Sequence, residues 1–85
     1  MTTYKVLYWQ EIPSQIRAED DDGNEVSLEL SAKFLEHIDA TAQKRGFTNA
    51  DDYLAQWQWS DQQQREGSAQ EVAESVKAEF EAKGP

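Results

Sequence analysis

Apolar and polar positions alternate along the first third of the chain and then switch to helical spacing just after Leu30. Val26, Leu28 and Leu30 repeat at period two, the pattern of a strand over 25–30 with one buried face. Residues 3–10 also read as a strand, because Tyr, Val, Leu and Trp pack well on a pleated surface. Both faces of that strand are apolar: Tyr4, Val6 and Tyr8 point one way, Leu7 and Trp9 the other. Such a strand is either covered on both sides or carries an exposed functional face. Glu11-Ile12-Pro13 is expected to end it, since proline cannot donate to a ladder. A weaker strand over 14–20 has Ile16 and Ala18 on one face. The turn Asp20-Asp21-Asp22-Gly23-Asn24 joins it to the next strand. A three-residue loop, Asp21 to Gly23, sets Ala18 opposite Val26 and Ile16 opposite Leu28, whereas a two-residue loop mixes the faces. The three-residue loop is therefore expected.

The second half reads as helices. Over 32–45, Phe34, Leu35, Ile38 and Ala42 form one stripe, with Ser31 as the N-cap, Lys44 and Arg45 at the negative end and Gly46 at the C′ position. Phe47 is placed to fold back onto that stripe. A second helix is expected over 49–65, capped by Thr48 or Asn49, with Asp51 and Asp52 at its positive end and Tyr53, Leu54 and Trp57 inward. Ser68-Ala69-Gln70-Glu71 is a capping box that starts a third helix over 69–82, with Val72, Ala73, Val76 and Phe80 at helical spacing. The fold class that results is α+β: a three-stranded antiparallel sheet with two to three helices, in the order β-β-β-α-α-α. The expected core is Val6, Ile16, Ala18, Val26, Leu28, Leu30, Phe34, Leu35, Ile38, Tyr53, Leu54, Trp57, Val76 and Phe80.

Composition sharpens this picture. Eighty-five residues bound a single small domain over 1–85, and a hydrophobic fraction of 38% leaves its nine aromatic rings to supply much of the core. There is no cysteine, so disulfides and thiolate metal sites are excluded, and one histidine makes a poor start for a zinc site. The N-terminal segment has no basic lead-in and turns polar at Gln10, so neither a signal peptide nor a membrane span is expected, and a cytoplasmic setting is the default. A formal charge of −9 disfavours phosphate backbones and anionic membranes, and favours a protein partner with a basic surface.

Candidate chemistry is sparse. Counted from Asp20, a calcium-binding EF-hand loop requires glycine where Glu25 stands and glutamate where Ser31 stands, so the acidic turn reads as a solvated hairpin. His37 falls beside the apolar stripe of its helix and reads as solvent-facing, with Glu36 and Asp39 as ordinary surface neighbours. No nucleophile turn or glycine-rich phosphate loop is present, so no catalytic residue, cofactor or metal is assigned, and the chain is not expected to be an enzyme. Val26-Ser27-Leu28-Glu29-Leu30, a helix, Gly46-Phe47-Thr48 and another helix follow the outline of a ribbon-helix-helix repressor. In that outline Glu25, Ser27 and Glu29 would face the groove and Asp51 and Asp52 the phosphates. These charges oppose DNA, and nucleic-acid binding is kept as the alternative reading.

Several segments together resemble the small bacterial "virulence factor" domain family. They are Tyr4-Lys5-Val6-Leu7-Tyr8-Trp9 with Ile12-Pro13, Tyr53-Leu54 with Trp57-Gln58-Trp59, and Arg65-Glu66-Gly67-Ser68-Ala69 followed by Glu71-Val72-Ala73. The resemblance implies a short acidic module, one that accompanies helical repeats in the conserved-virulence-factor proteins, with no catalytic residues to carry over. The expected function is accordingly a non-enzymatic protein-interaction module. Its candidate binding residues are Tyr4, Tyr8, Trp9 and Trp59, since these rings combine apolar area with a polar handle and the first strand has too many apolar residues for one covered face.

Overall fold

Strand β1 (Thr2–Trp9) lies inside the sheet rather than at its border, with Tyr4 and Val6 in one core cluster and Trp9 in another. The computed structural model describes residues 1–85 and continues with β2 (Ile12–Asp20), β3 (Glu25–Glu29), α1 (Ala32–Lys44), α2 (Ala50–Leu54), β4 (Trp57–Trp59), β5 (Gln63–Arg65) and α3 (Ala69–Lys83). All pairing is antiparallel, in the order β3-β2-β1-β4, and β5 pairs with β1 alongside β4. The class is α+β as expected, but the sheet has five strands and the order is β-β-β-α-α-β-β-α.

The β2–β3 register is the expected one, with Ile16 opposite Leu28 and Ala18 opposite Val26. The β1–β2 turn differs from expectation. Pro13 does not end a strand; it lies within β2, opposite Tyr8, where the register slips and β2 carries one extra residue. A bulge is one of the few ladder positions where a missing N–H costs little. The turn is therefore Gln10-Glu11, and Gln10 takes a left-handed φ of 53°. Its side chain bonds Gln56 at 3.2 Å, while Arg45 reaches across to the Glu11 carboxylate at 2.6 Å.

The helix expected over 49–65 stops after five residues. Its start is as read: Asn49 caps it, accepting from the Asp51 N–H at 2.8 Å, with both aspartates in the first turn. Beyond Leu54 the chain returns to the open edge of β1, whose unpaired N–H and C=O groups a continued helix would leave unmet. Trp57 then pairs with Trp9 and Trp59 with Leu7, and Gln63–Arg65 pairs with Thr2–Tyr4. Ser60 bridges the gap between β4 and β5: its N–H donates to the Val6 carbonyl at 2.8 Å, and its hydroxyl accepts from the Val6 N–H at 2.9 Å.

Fifteen of 85 residues are buried, and all but Thr2 fall into two clusters. In the larger, α3 lies over the sheet through Val72, Ala73 and Val76, which meet Tyr4, Val6, Ile16, Ala18, Leu30 and Phe34. The smaller gathers Trp9, Ile12, Ile38 and Ala42 beside the β1–β2 turn, flanked by Phe47, Tyr53 and Trp57. The split follows from an elongated shape, 42 × 25 × 15 Å, with a radius of gyration of 13.8 Å against about 12 Å for a compact chain of this length. Two expected core residues are corrected: Leu35 is 51% and Leu54 61% exposed. Leu35 neighbours the buried stripe Phe34-Ile38-Ala42 without belonging to it, and α2 is too short to bury a face of its own. No helix is long and apolar enough to cross a membrane.

Candidate docking surface on the open sheet face

Alternation along the strands sends Thr2, Tyr4, Val6, Ile16 and Ala18 toward α3, and Lys5, Leu7, Gln15, Arg17, Ser27 and Trp59 to the opposite face. None of the latter set is buried. The open face centres on Trp59, which is 39% exposed. Trp59 stands opposite Leu7, and its ring carries two cations: the Lys5 Nζ at 4.7 Å and the Arg17 guanidinium at 5.4 Å from the centroid. Lys5 and Arg17 are themselves cross-strand partners. Each cation–π contact at such a site is worth about 0.5–1 kcal/mol, so the pair helps to fix the indole in place.

Toward β3 the same face turns acidic, through the register pair Glu19 and Glu25 and through Glu29 opposite Gln15. Arg17 Nε lies 3.5 Å from the Glu25 carboxylate, yet that buried nitrogen makes no hydrogen bond. Beside it is a shallow depression of about 240 Å³, lined by Thr3, Tyr4, Lys5, Arg17, Glu19, Glu25 and Gln62. A surface of this kind offers an apolar plate, two donors and a carboxylate border.

The four candidate residues are not brought together. Trp59 alone is exposed, and it sits on a strand, not on the flank of a helix. Either Tyr4 with Tyr8 or Trp9 was expected to be partly exposed; Tyr4 and Trp9 are buried, at 6% and 0%, and Tyr8 is half-buried. Tyr4 lies under α3, donates to Gln63 Oε1 at 2.9 Å and is covered by the Arg65 guanidinium. Trp9 is enclosed by Phe47 and Tyr53 and donates its indole N–H to the Tyr53 carbonyl. Tyr8 is half-buried on the helix side in an edge-on contact with Phe80, and burial, then the neighbouring Tyr4, raises its phenol above the ordinary value. A second hollow runs beside that contact, lined by Tyr8, Ile12, Pro13, His37, Phe80 and Lys83 among others.

Lys5 and Arg17 escaped the sequence reading. They lie opposite one another only because the extra residue in β2 shifts the register set by the Gln10-Glu11 turn, which alone would put Lys5 opposite Ile16, and Pro13 pointed instead to a longer connection. His37 is exposed on α1, as read. In the acidic turn, Asp20 uses both carboxylate oxygens on the N–H groups of Asp22 and Asn24 and the Asn24 side chain. No group of three or more acidic or histidine side chains is placed to share a metal ion.

No curated protein and no solved structure matches the chain. A family model described as "Virulence factor" matches residues 7–85, from the middle of β1 through α3, and so takes in Trp9, the β4 tryptophans and the capping box together. The chain belongs to the virulence factor family.

Proposed function

We propose that this virulence factor domain is a non-enzymatic protein-interaction module that docks a partner with a basic surface through the open face of its sheet. The observation that carries the reading is Trp59, a large exposed ring held on an uncovered sheet face rather than spent in either core cluster. Tryptophan is among the residues that most often anchor interfaces, because one ring supplies a large contact area and an N–H donor. The glutamates at the β3 side of this face, within a chain of net charge −9, steer a basic surface toward it. Tyr4 serves this role indirectly, by anchoring β1 beneath the face, Trp9 by fixing the end of β1 next to Trp57, and Tyr8 is a secondary contact at the helix side. The ribbon-helix-helix alternative draws less support, because α2 has five residues and is followed by strands.

A photo-crosslinking residue placed at position 59, and for comparison at Glu74 on the exposed side of α3, tests the reading in the native cell. A partner cross-linked from 59 and not from 74, and released as salt rises, is the expected result. Equal labelling from both positions would refute it. So would retardation of duplex DNA at about 20 mM salt, where phosphate contacts are least screened.

A further inference from the structure

Of the strand edges left without a partner, that of β3 is the longest, five residues against three each for β4 and β5. Its orientation follows from two bonds at its ends. The Asp20 N–H donates to the Asn24 carbonyl at 3.0 Å, and the Leu30 N–H donates to the Ser14 carbonyl at 2.9 Å. Even-numbered residues of β3 therefore bond inward to β2, and the antiparallel alternation turns the N–H and C=O groups of Glu25, Ser27 and Glu29 outward.

Edges of this type invite another strand, and proteins guard them with charge. Here the guard is selective. A second copy pairing antiparallel about Ser27 would set Glu25 against Glu29 twice over, and like charges directly opposite are destabilising. The same two carboxylates would welcome a strand with cations at those positions. On the helix side, Val26 and Leu28 are half-buried against the larger core cluster, so a neighbouring apolar side chain would extend that core.

We infer that the outer edge of β3 takes an extended basic segment of a protein partner, added as a sixth strand with the pattern basic-apolar-any-apolar-basic. The basic residues face Glu25 and Glu29 on the open face, and the apolar ones flank Val26 and Leu28. This rests on the reading that the domain docks a basic partner, and it assigns the conformation and sequence pattern of the bound segment.

The test is an amide-resolved NMR titration of the intact domain with the end-blocked peptide Lys-Val-Thr-Val-Lys at about 20 mM salt. Saturable shifts and slowed amide exchange at Glu25, Ser27 and Glu29 are expected. The peptide Glu-Val-Thr-Val-Glu should bind roughly tenfold or more weakly, given two charge pairs reversed. The double variant Glu25→Lys, Glu29→Lys should exchange the two preferences, and N-methylation of the central threonine should abolish binding. Equal binding of the N-methylated peptide, or shifts spread over the acidic surface, would mean charge adsorption and overturn the inference. Absence of binding would overturn it as well. Trp59→Ala should retain the peptide, so a failed edge with intact cross-linking from position 59 rejects this inference alone.

Discussion

Ser31 and Glu81, fifty residues apart, are joined by two hydrogen bonds: the Ser31 N–H and its hydroxyl each donate to the Glu81 carboxylate at 2.8 Å. Ser31 occupies the N-cap position of α1, but its side chain does not cap that helix, whose first turn contains no acidic residue. The carboxylate at the positive end of α1 comes instead from the last turns of α3, so one contact serves both the helix end and the tie between helices. Ser31→Ala and Glu81→Gln should each lower the melting temperature. The double variant should lower it by less than the sum, because the two changes break one contact. Strict additivity in thermal melts would show the pair to be idle.

The same contact sets an acid dependence. The Ser31 hydroxyl, aided by its N–H and by Lys33, outweighs desolvation and holds the Glu81 carboxyl below its ordinary value of 4.5. A carboxyl depressed in the folded state contributes stability above its unfolded value and loses it as pH falls through the folded one. Glu79, held down by Arg65, acts in the same direction. Melting curves of the native chain and of Glu81→Gln should therefore differ most above the ordinary glutamate value and converge as pH falls through the depressed one.

Trp9 and Trp59 should separate on substitution. Trp9 is fully buried and spends its N–H on the Tyr53 carbonyl at 3.0 Å, so Trp9→Ala should cost about 3–5 kcal/mol and leave little folded protein. Trp59→Ala removes an exposed ring and its two cation contacts, and should cost about 1–2 kcal/mol. Urea unfolding of the two variants measures the difference. A Trp59→Ala loss as large as that of Trp9 would make Trp59 a core residue and remove the proposed docking face.

Ser60 is expected to matter more than its half-buried position suggests. Ser60→Ala leaves the Val6 N–H without its partner inside the sheet, at a cost of about 1–3 kcal/mol. The Val6 amide should then exchange faster with solvent than those of Tyr4 and Tyr8.

Gly46 closes α1 at φ 85°, with no atom within 4 Å of a Cβ placed there. Gly46→Ala should cost about 1 kcal/mol from backbone conformation alone, and Gly46→Asn less, since asparagine tolerates the left-handed region. Equal stability of all three in thermal melts would contradict the assignment.

Local signals determined much of this protein from the sequence alone. The register of β2 against β3 follows from matching Ile16 and Ala18 with Leu28 and Val26 across an Asp-Gly turn, because a one-residue slip would move every apolar side chain to the wrong face. The boundaries at Gly46, Asn49 and Ser68 follow from groups within a few residues that satisfy helix ends, and the capping box at Ser68 and Glu71 has both of its bonds. The family, too, was legible in the tryptophans and the Arg-Glu-Gly-Ser run. What residues 55–65 become was decided elsewhere. Their polar sequence favours no structure strongly, and the deciding term is the unpaired edge of β1, some fifty residues earlier in the chain. Filling that edge set Trp57 beside Trp9 and left Trp59 exposed above Lys5 and Arg17, while Tyr4 and Trp9, two of the four candidate rings, are buried. A short-range pattern records what a segment can do, but an edge that must be paired is visible only when the distant strand is in place.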